Sequence, residues 1–247
     1  MKISVITVSY NCATTIQKTF NSVKNQTYPN IEYIVVDGNS TDGTQNIIQK
    51  NESFIDKWIS EPDKGIYDGL NKGIAMATGE VIGLVHADDV LAGPGIIEEI
   101  AATFKGQNCD GVYGNLHYVT ASNAEKIVRN WKSKAFETKL LKNGWMPAHP
   151  TLYLKSKVYK TYGVFNTGYK IAADYDFILR IFKQPELSFV YLPEIIIKMR
   201  VGGASNRDMK HILQKMREDL NALKANEVGS YPTLIKKNLS KLFQFYK

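Results

Sequence analysis

"IEYIVVDGNSTDGTQNIIQK", residues 31–50, passes from an unbroken apolar run through a polar cluster into a helix-spaced pattern. The run "IEYIVV" (31–36) is rich in β-branched residues and predicts a buried strand, and Thr41 to Lys50 predicts a helix. Between them, "VDGNSTDGT" (36–44) places two aspartates and two glycines at the strand's end. Asp37 fits two readings there. It closes the strand as an Asx-type turn, or it is a carboxylate held out to a ligand. Asp42, ahead of "GTQNII", fits a helix cap.

The same alternation extends outward on both sides. "ISVITV" (3–8) predicts a first strand, and Thr14 to Asn25 a helix carrying Ile16, Phe20 and Val23 on one face. "FIDKWI" (54–59) predicts a third strand, and residues 66–77 a helix in spite of two glycines. "EVIGLV" (80–85) predicts a fourth strand, which stops at "HADD". Strands alternating with helices at this spacing imply an α/β fold, with a mostly parallel central sheet flanked by helices.

Beyond residue 105 the alternation loosens. "CDGVYGNLHYV" and "KIVRNW" suggest a hairpin or edge, and residues 147–163 run from a proline loop through a short strand into a helix. A helix at about 173–183, two strands in "LSFVYLPEIIIKMR" and two closing helices complete a smaller antiparallel part in the C-terminal half. No repeat, low-complexity tract or linker interrupts the chain. The expected organisation is one domain over 1–247, with a nucleotide-type half (1–105), a substrate-type half (106–205) and C-terminal helices (206–247).

Charge is divided in the same way. Residues 1–125 hold 8 Lys+Arg and 15 Asp+Glu, whereas residues 126–247 hold 23 and 9, so a chain of net +7 joins an acidic half to a basic one. That asymmetry suggests a metal on one side and anionic partners on the other. Nucleic acid is not the expected partner, since zinc-finger spacing, an RNP-like segment and an Arg-rich arm are all missing. Cys12 and Cys109 make neither a metal spacing nor a disulfide framework, which points to a reducing, cytoplasmic setting. The opening "MKISVITVSYN" is too short an apolar run for a signal h-region, and no stretch reaches membrane-spanning length.

In an open parallel sheet, ligands sit beyond the carboxyl ends of the strands. Three expected strands end in chemistry-capable residues: "TVSYN", "DGNSTD" and "HADD". Adjacent acids such as Asp88 and Asp89 repel unless a cation or donors compensate. Hard divalent ions favour one or two carboxylates completed by phosphate oxygens, although a solvated turn reads equally well. A P-loop is absent, and the first strand–helix junction "TVSYNCATT" has no glycine, so a dinucleotide fingerprint is missing too.

Taken in order, "ITVSYN", "VVDGNSTDGT", "EPDKGIYDGLNKGIAMATGEVIGLVHADD" and "AADYDFILR" resemble the family 2 glycosyltransferases over residues 3 to about 182. Within that family the chain looks most like the small bacterial enzymes that assemble capsule, exopolysaccharide or O-antigen units. The resemblance implies a GT-A fold, a nucleotide-diphosphate sugar donor, most simply UDP-linked, and an Mn²⁺ or Mg²⁺ cofactor. It implies that Thr7, Ser9 and Tyr10 lie beside the nucleoside, that Asp37 binds the base, and that Asp88 lies nearer the ribose. Asp89 would ligate the metal and Asp174 would be the catalytic base. Asp176 trails on the same helix as an acceptor candidate. Without the resemblance, Asp174 reads as an acid complementing a helix dipole.

An inverting transfer needs a carboxylate to take the acceptor's proton and positive charge to stabilise the departing diphosphate. Lys64 and Arg200 are candidates for binding the donor, with "RVGGAS" as a closing segment, and His149 in "PAHPT" is a candidate acceptor contact. Three positions depart from the family pattern: Gly38 where a second acid is common, His86 where Asn is common, and Ala173 where an acid often precedes the base. "QKMRE" (214–218) lacks the tryptophan of the processive members, so a single transfer to a glycan or lipid-linked acceptor is expected.

The tail "YPTLIKKNLSKLFQFYK" holds four lysines and no acid, with Ile235, Leu239, Leu242 and Tyr246 at helical spacing. It fits a helix lying on an anionic inner leaflet, or one packed on the domain. Two other functions compete. A sugar-phosphate nucleotidyltransferase should open with a Gly-rich basic loop, and a non-catalytic glycan-binding module need not keep four aspartates in place.

Overall fold

A computed structural model describes residues 1–120, 123–201 and 209–242. Four strands form the parallel part of the sheet: β1 (Ile3–Ser9), β2 (Ile31–Asp37), β3 (Lys57–Ser60) and β4 (Val81–Leu84). They lie in the order β3-β2-β1-β4, so β1 has its neighbours in sequence and in crossover on opposite sides. Where strand order reverses, crossover helices leave in opposite directions and open a crevice at the strands' carboxyl ends.

The sheet continues through β8 (Tyr153–Lys155), β6 (Gly111–Val119) and β9 (Phe189–Arg200) to β5 (Val90–Leu91), with β7 (Ile127–Trp131) paired to β6. The pairings β4–β8, β6–β8, β6–β7 and β5–β9 are antiparallel, as expected for this half, whereas β6 and β9 run parallel and make it mixed. The two expected strands in 187–200 are one strand. Its register against β6 shifts between Tyr113 and Asn115, and Pro193 sits in that irregular stretch, where a missing N–H breaks no ladder bond.

Helices α1 (Ile16–Lys24), α2 (Thr44–Lys50) and α4 (Ile96–Gly106) cover one face of the sheet. The opposite face carries α3 (Ile66–Met76), α5 (Ser156–Tyr162), α6 (Ala173–Phe182), α7 (Met209–Ala225) and α8 (Tyr231–Leu242). The sequence reading did not include α4, although Ile96, Ile97, Ile100, Ala101 and Phe104 mark its buried face. The two glycines of α3 have a steric reason. A Cβ on Gly73 would lie 2.4 Å from Ile6 Cγ2, and one on Gly69 would lie 2.7 Å from Val8 Cγ1. Only bare backbone lets this helix lie so close on β1.

At the opposite, amino-terminal edge, Glu32 is 2% exposed and binds three separate elements. Its carboxylate accepts from Ser4 on β1 and from the Thr78 amide and hydroxyl after α3, and pairs with Lys57 on β3 at 2.9 Å. Among the described residues, no helix is long and apolar enough to cross a membrane.

Candidate active site

Register alone assembles the first part of the site. Ser9, Asp37 and Ser60 are direct neighbours across β1, β2 and β3. Both serine hydroxyls donate to the Asp37 carboxylate, at 2.9 and 2.7 Å, and Ser40 adds its hydroxyl and its amide. Asp37 is fully buried with four donors on its two oxygens, so it fixes the loop after β2 as well as standing at the crevice. Tyr10, next in the chain, is exposed and leans over Gly38. A Cβ on residue 38 would come within 2.6 Å of Asp63 Oδ2. The loop before α3 therefore brings an acid to the spot where a side chain at 38 would begin.

Thr7 does not join this group. Its hydroxyl is buried in the core, 2.9 Å from Tyr33 Oη and donating to the Val85 carbonyl at 2.8 Å. Lys64 is exposed in the turn before α3, and its amide donates to Asp68.

The "HADD" turn follows β4. Thr15 and Thr19 hold it by donating to the carbonyls of Ala87 and Asp89, at 3.0 and 2.7 Å. Because β5 pairs with β9, the turn also meets Arg200, whose amide donates to Asp89 Oδ1 at 3.3 Å. Arg200 is itself buried, and its charge lowers both aspartate pKa values against larger opposing effects. Asp89 is fully buried, and its Oδ2 has no hydrogen-bond partner. Burial first, and the charge of Asp88 second, push its pKa well above the usual carboxylate range. Asp88 is the partly exposed member of the pair. The open acid is thus the one expected nearer the ribose, and the expected metal ligand is enclosed.

No cluster of three His, Cys, Asp or Glu able to hold a metal occurs among the described residues. A buried carboxylate oxygen without a donor, beside a second acid, nevertheless suits a hard divalent ion that takes its other ligands from phosphate and water.

Asp174 lies in the first turn of α6. Its Oδ2 is 3.0 Å from His149 Nδ1, and its Oδ1 accepts from Tyr67 Oη on α3 at 3.1 Å. Burial would raise its pKa, but the adjoining His149 and its hydrogen bond outweigh that and hold the carboxyl below the usual range. The other ring nitrogen of His149 is 3.0 Å from His86 Nε2. Burial drives the His86 imidazole down to about 3, with His149 adding to the effect. A continuous chain of contacts thus runs from the "HADD" turn through His86 and His149 to Asp174 and Tyr67.

Asp176 points elsewhere: it pairs with Arg180 on its own helix and accepts from Asn226 at 2.9 Å. Two positions on a helix are about 200° apart, so Asp174 and Asp176 cannot share the cleft. As an acceptor contact, Asp176 is corrected to a tie between α6 and the end of α7. Two supports went unread in the sequence. Tyr67 is one. Glu218 is the other, accepting from the amides of Ile171 and Ala172 just ahead of α6 at 2.8 and 3.0 Å. No sequence spacing links residues 67, 149 and 218. Of the "RVGGAS" segment, residues 202–205 lie outside the described residues.

The sequence profile of Glycosyl transferase family 2 matches residues 4–171. The uncharacterized glycosyltransferase Rv1514c of Mycobacterium tuberculosis is 31% identical over 183 residues, spanning 72% of this chain and 68% of that protein. S. aureus TarS 1-349, in complex with UDP-GlcNAc, matches 91% of this chain and 73% of its own at 18% identity, with a TM-score of 0.66. Against another crystal structure of TarS the TM-score is 0.67 at 20% identity, covering 90% of this chain but only 43% of that one. The mannosyltransferase PcManGT from Pyrobaculum calidifontis, in complex with GDP-Man and Mn²⁺, matches 98% of this chain and 69% of its own at 18% identity, with a TM-score of 0.66.

Proposed function

The chain belongs to glycosyl transferase family 2 and has the GT-A fold, and from that premise we propose that it moves one sugar, with inversion, from a nucleoside-diphosphate sugar to an acceptor hydroxyl. The single observation that carries the reading is the Asp174 carboxylate, kept ionised and linked by hydrogen bonds to the turn that bears the acid pair. Asp174 takes the acceptor's proton while the sugar–diphosphate bond breaks on the far side of the anomeric carbon. Ser9 and Asp37 shape the loop that receives the base, and Tyr10 offers an exposed ring for it to stack on. Asp88 and Asp89 would hold an Mn²⁺ or Mg²⁺ ion, which when bound would neutralise charge on the leaving diphosphate. Arg200, next to the same acids, adds fixed positive charge.

UDP is the expected nucleotide. The bound ligands named for TarS and PcManGT, UDP-GlcNAc and GDP-Man, make GDP the second one to try. The acceptor we propose is a glycan or a lipid-linked sugar in bacterial surface polysaccharide synthesis, of the capsule or O-antigen kind. The setting we propose is cytoplasmic, at the inner face of the membrane.

The test is thermal denaturation with UDP or GDP, each in Mn²⁺ and in EDTA. The reading expects a rise in melting temperature that needs both nucleotide and metal, and Asp89→Asn should remove its metal-dependent part. Melting curves indifferent to every nucleotide would instead favour a glycan-binding module. Screening nucleotide sugars for slow hydrolysis then identifies the donor, and an Asp174→Asn variant should bind that donor but turn it over far more slowly.

A further inference from the structure

We propose that His149 is a positioning residue for Asp174, locked in a single tautomer by His86, so that the acid-bearing turn and the base are aligned as one unit. The inference rests on the reading of Asp174 as the base, and it gives His149 a role other than acceptor contact.

The backbone fixes where His149 stands. It opens a short turn, His149–Thr151, in which Pro150 restricts the chain and the Leu152 amide closes onto the His149 carbonyl at 3.1 Å. Thr151, fully buried, donates its hydroxyl to the Ala148 carbonyl at 2.7 Å, and the Gly114 amide of β6 approaches that hydroxyl at 3.2 Å. The imidazole therefore hangs from an anchored turn, not from a free loop.

The hydrogen bonds then dictate the protons. An ionised Asp174 can only accept, so His149 Nδ1 must carry the hydrogen that spans the 3.0 Å to Oδ2. In neutral His149, Nε2 is then a bare lone pair. It faces His86 Nε2 at 3.0 Å, and a bond forms only if His86 carries its hydrogen on Nε2. That leaves His86 Nδ1 as a lone pair, and Nδ1 is the His86 atom found buried without a partner. The opposite arrangement would bury an unpaired N–H on His86, and a second hydrogen on His149 would require it. His86 thus keeps the Nδ1–H of His149 aimed at Asp174, since the hydrogen bond made by one ring nitrogen sets what the other carries.

The other groups facing the pair do not substitute for this. Tyr67 from α3 donates to the other oxygen of Asp174. Lys237 from α8 acts on Asp174 through its charge but is paired with Asp219 at 2.7 Å. Tyr118 from β6 interacts with Asp174 only electrostatically. A cavity of about 10 Å³ beside His149 and Asp174 is lined mainly by Leu84, Leu152, Phe165 and Phe177, and it is room for about one water. Few polar partners would remain to replace the imidazole.

The first measurement needs no substrate. The chain has four histidines, so long-range ¹H–¹⁵N spectra can be assigned with single His variants. His149 is expected as the Nδ1–H tautomer and His86 as the Nε2–H tautomer at neutral pH. The reverse tautomers, or a mixture at His149, would overturn the proposal.

The second measurement uses the donor identified by the hydrolysis screen. His149→Ala should lower kcat on the order of 10- to 100-fold with little change in donor KM. Its acid limb should move to higher pH, because Asp174 keeps its burial but loses the donor that holds its pKa down. His149→Asn, whose amide can donate from nearly the position of Nδ1, should recover much of the loss. A higher KM with kcat and the acid limb unchanged would make His149 a substrate contact and sink the positioning role alone. A wild-type chain inert toward every nucleotide sugar would remove the transferase reading and the role with it.

Discussion

Asp37 and Asp89 are both buried carboxylates at the same edge of the sheet, yet their surroundings are opposite. Asp37 accepts from four donors, whereas Asp89 Oδ2 has none. In the ligand-free chain, Asp37→Asn should cost about 1–3 kcal/mol, because it turns an acceptor into a donor facing hydroxyls. Asp89→Asn should cost nothing in the same experiment. Chemical denaturation without metal or nucleotide measures both. Equal losses would mean that the missing donor at Asp89 has no energetic meaning. Gly38 and His86 illustrate how far single positions could be read. Each stands out in the sequence as a departure from the family pattern. What each departure does, admitting Asp63 in one case and meeting His149 in the other, depends on residues 25 and 63 positions away.

The elements hold these residues through a few close contacts. Helix α3 lies on β1 through Gly69 and Gly73, and Tyr67 sits on the same helix. Gly73→Ala should cost about 1–3 kcal/mol, since the new methyl meets a β-branched side chain in a packed core. Gly106→Ala, with open space around the would-be Cβ, should be tolerated. At the far edge of the sheet, Glu32 ties β1, β2 and β3 to the end of α3.

Burial would raise the Glu32 pKa, but its donors, Ser4 and the Thr78 amide foremost, hold it below the usual range. A depressed folded-state pKa gives stabilisation that is present above the unfolded value, about 4.3. That stabilisation is lost as pH falls below it toward the folded value. Glu32→Gln should therefore cost about 2–4 kcal/mol at pH 7, with the gap to wild type narrowing as pH drops below about 4. Urea titrations at pH 7 and pH 3 test it; a gap that widens in acid would reverse the assignment.

For the molecule as a whole, the C-terminal helices serve the interior and the surface at once. Lys237, one of the four lysines of the tail, is 2% exposed and paired with Asp219, with its ammonium over the Tyr175 ring. Burial lowers its pKa to about 8. Glu218 reaches from α7 to the start of α6. Deleting residues 231–247 would therefore damage the core and is no clean test of membrane contact.

The outward stripe of α8 is a different matter. Tyr231, Ile235 and Leu239 are 61%, 59% and 52% exposed, with the exposed charges of Lys236 and, on α7, Lys224 and Arg217. Tyr246 and the side chain of Leu242 lie outside the described residues. The double variant Ile235→Glu, Leu239→Glu should keep its melting temperature and lose cosedimentation with anionic phosphatidylglycerol vesicles at low salt. Unchanged cosedimentation would end the peripheral-membrane proposal.

By itself the sequence determined the alternation of strand and helix, the parallel first half and the strand ends at which chemistry collects. Those follow from hydrophobic period and local turn residues, which act over a few positions. It also carried the signal for α4 in plain apolar spacing. Only the tertiary structure decided which acid of the pair lies enclosed, that Thr7 belongs to the core, and that Asp176 turns away. It alone joined His86, His149, Asp174 and Tyr67, because contacts between residues so far apart in the chain are set by sheet order and helix packing, on which local spacing has no hold.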